Sequence, residues 1–83
     1  MRKFFFDSAA LGERTVEYSL VTGARQTDRG EYGILVESGG ERALIPAISF
    51  SRFRVLELLG MMCRGLVTPV TAWDVTEDWL AAI

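Results

Sequence analysis

Histidine is absent from this chain of 83 residues, cysteine occurs once and proline twice. Without an imidazole, Ser-His-Asp and Cys-His catalytic arrangements are excluded, and so are zinc sites that use histidine. The single cysteine, Cys63, excludes an internal disulfide and a CxxC pair. The chain therefore lacks the staple common in small secreted domains, and a reducing, cytoplasmic setting is expected. Long hydrophobic runs are missing as well. The opening MRKFFF starts like a signal peptide, but Asp7 stops it short of an apolar core of seven or more residues. The apolar stretch around residues 58–67 is cut by Arg64 and falls far below the roughly 18 residues that span a bilayer, so no membrane association is expected. Basic charge is not in excess either: nine lysines and arginines stand against eleven carboxylates. Arg52, Arg54 and Arg64 are the nearest thing to a cluster, which is too little to displace counterions from a nucleic acid. The glycine-bounded segments 23–30 (GARQTDRG) and 60–65 (GMMCRG) carry neither GK[ST] nor GxGxxG, so no nucleotide-phosphate loop and no cofactor are expected.

What is present is enough apolar residue for a core, 49% of the chain, in one domain of narrow stability. The hydrophobic period changes once, near residue 49, dividing the chain into a strand half (1–48) and a helix half (49–83). Val16, Tyr18 and Leu20 alternate with Thr15, Glu17 and Ser19, as in a strand with one wet face, and Tyr32, Ile34 and Val36 repeat the pattern. Segment 23–30 between them reads as a mobile hairpin loop. Gly39-Gly40 suits a tight primed turn, so a further strand over residues 41–48 is expected to pair back, with Pro46 at its end or on a sheet edge. Residues 3–7 form a fourth strand with Phe4 and Phe6 on one face, and residues 8–13 connect it onward.

Ser49 or Ser51 can cap a first helix that Gly65 stops. Its apolar arc of Phe53, Val55, Leu56, Leu58, Leu59, Met62 and Cys63 spans about 220°, wider than one packing face, and leaves Met61 on the wet side with Arg54, Glu57 and Arg64. Cys63 lies in mid-arc and reads as a core thiol. A second helix starts at Thr68-Pro69 or Thr71, with Asp74 placed to act as a capping-box acid. Ala72, Val75, Thr76, Trp79 and Ile83 centre its apolar side, and Trp73 and Leu80 stand on one margin. Residues 69–83 hold both tryptophans and three carboxylates but no basic residue. Asp74 and Asp78, one turn apart, lack a pocket and read as helix-stabilising acids rather than metal ligands.

The expected fold is α+β: an antiparallel sheet of three or four sequential strands with two C-terminal helices on one face. The other face, with Thr15, Glu17, Ser19 and Glu37, is expected to be solvated. The strings YSLVT at 18–22, YGI at 32–34, TPVT at 68–71 and DVTEDWL at 74–80 resemble a family of short clostridial proteins carrying only a domain-of-unknown-function label. That resemblance implies a bacterial cytoplasmic domain and transfers no functional residue.

The residues themselves point to a non-enzymatic protein-interaction or regulatory module, forming a homodimer or binding another protein, with Trp73, Leu80 and Met61 as its contact surface. The alternative is a small-molecule binder or histidine-free enzyme whose pocket between sheet and helices uses Tyr18, Tyr32 and an arginine.

Overall fold

The computed structural model describes residues 1–27 and 30–82 and shows an α+β domain of four strands followed by two helices: β1 (Arg2–Leu11), β2 (Arg14–Thr27), β3 (Gly30–Ser38), β4 (Glu41–Ser49), α1 (Arg52–Arg64) and α2 (Ala72–Ala81). The strands form one antiparallel sheet in sequential order. Two of its hairpins close through two residues each, Gly12-Glu13 and Gly39-Gly40, with the leading glycine at φ +62° and +60° respectively. These are angles that a primed turn needs and glycine adopts without strain.

The strands run longer than the apolar pattern predicts. β1 continues to Leu11, so the connection expected over residues 8–13 shrinks to the Gly12-Glu13 turn. β2 passes through Gly23 at φ +71° and continues to Thr27, so most of the expected loop 23–30 is strand. The remainder of that loop, Asp28 and Arg29, lies outside the described residues. Within the extension of β2, Thr27 pairs with Gly30, after a register shift from the Thr22–Tyr32 pair.

Cross-strand register separates the faces. Val16, Tyr18, Leu20, Ile34, Val36, Ala43 and Ile45 face the helices and form one buried cluster with Val55, Leu58, Leu59 and Met62 of α1 and Ala72 of α2. The outer face carries the row Phe5, Ser19, Leu35 and Leu44 and the row Glu17, Glu37 and Arg42. Ser19, Val21 and Leu35 are buried there, so the expectation of a fully solvated outer face holds only at its margin, at Thr15 and Glu17. A serine between two larger row neighbours, Phe5 and Leu35, is shaded by them. Glu37, opposite Glu17, is relieved by Lys3 of β1, whose Nζ lies 3.4 Å from its carboxylate.

Both edge strands are irregular. β1 bulges between Phe5 and Asp7, which shifts its phase so that Phe4 pairs with Leu20 but Asp7 with Tyr18. β4 shifts between Ile45 and Ser49 around Pro46 and Ala47, the latter at φ +56°. Proline is tolerated there because a bulge on an edge strand needs no ladder donor.

Ser51 caps α1, its hydroxyl accepting from the Arg54 amide at 3.4 Å. Gly65 is the cap residue at the other end, but the left-handed position falls on Leu66, at φ +51°. Amides of Val67 and Leu66 donate to Met62 and Cys63 carbonyls, closing a Schellman-type turn. A leucine there costs on the order of 1 kcal/mol relative to glycine, which tertiary contacts must hold in place. Tyr18 supplies one: its buried hydroxyl donates to the Val67 carbonyl at 2.7 Å. α2 begins after Thr71, which makes no side-chain cap bond, so the capping box expected with Asp74 is not formed; the Thr71 hydroxyl instead donates to the Thr68 carbonyl at 3.5 Å.

Candidate functional site

The apolar arc of α1 is narrower than its sequence suggests. Val55, Leu58, Leu59 and Met62 are fully buried and Leu56 and Cys63 partly so, whereas Phe53 is 79% exposed. A helix lying on a sheet buries one stripe, and Phe53, on the far side of the arc, is left in water. It joins Glu57, Met61 and Arg64 along the outward face.

Along that face runs an open groove of about 550 Å³. α1 lines it with Phe53, Leu56, Glu57, Gly60, Met61 and Arg64, while Phe6 from the bulge of β1 and Trp79 from α2 complete its walls. Trp79 also packs against the core and carries the Arg54 guanidinium 5.5 Å from its ring centre, a cation–π contact that ties α2 to α1.

Met61, 40% exposed, thus sits in a groove. Trp73 and Leu80, 50% and 41% exposed, stand seven residues apart on one stripe of α2 but are not among the residues lining it. The tryptophan that meets Met61 is Trp79, whose mid-arc position suggested the core alone. Phe6 and Phe53 carried no such signal: the first depends on a bulge, the second on how far the sheet reaches along the helix.

A second cavity, about 250 Å³, opens between sheet and helix and is lined by Phe4, Leu20, Thr22, Tyr32 and Arg52. It brings together Tyr32 and an arginine but not Tyr18, whose hydroxyl is committed to Val67 and whose pKa burial pushes up to about 12, with Cys63 adding to the effect. The Cys63 thiol is also held protonated: burial raises its pKa, Asp7 raises it further, and adjacent Arg64 only partly offsets them. Its sulfur lies 3.8 Å from the Ser8 carbonyl, to which it donates. Asp74 and Asp78 are exposed on α2. Among the described residues no group of three or more His, Cys, Asp or Glu side chains is placed to hold a metal ion, and no helix is long and apolar enough to cross a membrane.

A four-stranded meander backed by two helices, with an aromatic-rimmed groove on the outer side of the first, defines a small α+β domain. Over residues 5–82 the chain matches a family of unknown function (DUF6514), and it belongs to that family. This agrees with the expected domain-of-unknown-function label. No curated protein and no solved structure matches the chain.

Proposed function

We propose that this domain is a non-enzymatic protein-interaction or regulatory module that self-associates, and that the α1 groove is its contact surface. The observation that carries the reading is the groove's composition: Phe6, Phe53, Met61 and Trp79 meet at a surface with water access. Aromatic residues and methionine are enriched at interface centres, and a phenylalanine held mostly in water contributes little to its own fold. Sedimentation at micromolar concentration tests it. The wild-type chain is expected to sediment as a dimer, and Phe53→Ser to shift toward monomer with an unchanged circular dichroism spectrum. A strict monomer across the concentration range removes self-association.

The smaller cavity favours a second reading, a binder of small molecules with an anionic group, because Arg52, Tyr32 and Thr22 line it beside the ring of Phe4. A thermal-shift screen of small carboxylates and phosphates discriminates the two. Stabilisation that disappears in Arg52→Ala supports the ligand reading, and an unresponsive chain removes it.

A further inference from the structure

We infer that the groove's partner is a second copy of this chain, docked by antiparallel packing of α1 on α1 about a two-fold axis that passes between Gly60 and Met61. The inference rests on the groove being a self-association surface, and it adds the helix packing and the register.

Three features of the groove are self-complementary. First, Phe53, Glu57, Gly60, Met61 and Arg64 fall within about 100° of arc on α1, so they form one stripe that a parallel-sided partner helix can follow. Second, Gly60 sits in mid-helix, where only proline is a poorer helix former. A Cβ added there would meet the Arg64 guanidinium at 3.3 Å and the tip of the Phe6 ring at 3.8 Å, both free ends of flexible side chains. The chain's own packing therefore admits a Cβ at this position once the Arg64 guanidinium shifts by a few tenths of an ångström. What glycine provides is a notch in the outward face, and a notch lets a facing helix approach closely. Met61, adjacent and exposed, is the side chain of a second copy that fills it when the axis lies between the two residues.

Third, the charges match. Glu57 and Arg64 are the charged residues of the groove, and among the described residues the one ion pair is Lys3 with Glu37, at the opposite face of the sheet. Glu57 and Arg64 lie equally far from the midpoint between Gly60 and Met61, about 5 Å in either direction at 1.5 Å per residue. A two-fold at that midpoint consequently sets each Glu57 against the partner's Arg64, forming two ion pairs at once, as an isologous interface requires. Moving the axis one turn toward the N-terminus brings the two Glu57 side chains together instead. In the single chain the Arg64 guanidinium lies over the notch. Docking moves it off Gly60 and onto the partner's Glu57, so the notch opens as the charge is paired. Phe53 then reaches past the facing Arg64 toward the turn after α1, where Leu66 is exposed.

Charge exchange tests the register. Glu57→Arg and Arg64→Glu are exposed substitutions; each alone sets like charges opposite one another and is expected to weaken self-association at least about tenfold. An equimolar mixture of the two variants restores both pairs and is expected to form heterodimers at close to wild-type affinity. Gly60→Ala narrows the notch and is expected to weaken self-association while its monomer melts no lower than the wild-type monomer. A wild-type chain that dimerises while the single charge variants dimerise equally well, or while their mixture stays monomeric, overturns the register and leaves the groove as a contact surface by another geometry. A wild-type chain that remains monomeric at all concentrations, whether or not the groove takes up some other protein, overturns self-docking altogether.

Discussion

Helix α1 presses Val55, Leu58, Leu59 and Met62 against the sheet with no exposed surface, while α2 buries only the two small side chains of Ala72 and Thr76 completely. The ends of the helices differ in the same sense. α1 opens on a serine cap and closes in a Schellman-type turn, whereas α2 opens on a threonine that makes no cap bond. In its first turns, α2 answers a free hydroxyl internally, the buried Thr76 side chain donating to the Ala72 carbonyl at 2.8 Å. The difference teaches that one helix uses up the apolar face of the sheet. The second leans on the same core through Trp79 and Val75; of its larger side chains Trp79 reaches the groove, while Trp73 and Leu80 stay at the surface outside it.

The largest expected effect separates the helices directly. Leu59→Ala removes a fully buried side chain and is expected to cost about 2–5 kcal/mol, whereas Val75→Ala on α2 is expected to cost about 1 kcal/mol; urea unfolding midpoints check both. Equal losses at the two positions would show that α2 is as firmly seated as α1.

Next comes the bond joining the sheet to the turn between the helices. Tyr18→Phe leaves the Val67 carbonyl without its buried donor and is expected to cost about 1–2 kcal/mol at neutral pH. The same phenol makes stability depend on alkali. Its folded pKa of about 12 lies above the ordinary value of 10, so the folded chain keeps a proton that the unfolded chain has released. Its contribution is complete below pH 10 and falls as pH rises from 10 to 12. Wild type is therefore expected to lose thermal stability over that interval faster than Tyr18→Phe, and parallel pH profiles would remove the linkage.

The smallest effects compare the caps. Ser51→Ala is expected to cost about 0.5–1 kcal/mol, since it deletes a long but real cap bond, and Thr71→Ala to stay within about 0.5 kcal/mol. Thermal midpoints of the two variants side by side provide the check.

The sequence exposes the fold wherever side-chain period and turn chemistry agree. Alternation at Val16, Tyr18 and Leu20, the Gly39-Gly40 turn, the Ser51 cap and the stop at Gly65 each correspond to an observed feature. It does not expose the continuation of β2 beyond Gly23, the bulge at Phe6, or the burial of Val21 and Leu35 on the far side of the sheet. The same limit governs the groove. Met61 is legible because its helical position falls off the apolar arc. Phe6 and Trp79 meet it through tertiary geometry that no local period encodes.

Gly33 and Gly30 lie far along the sheet, packed against the irregular end of β4. A Cβ on Gly33 would collide with the Ile45 carbonyl and the Pro46 backbone, and one on Gly30 with the backbone of Ser49. In a saturation-mutagenesis screen scored by survival of the folded chain, these two columns should be nearly blank although neither touches the groove. Intolerance at them measures the space between two strands, and a reader hunting for binding residues by mutational sensitivity alone would be drawn away from the groove.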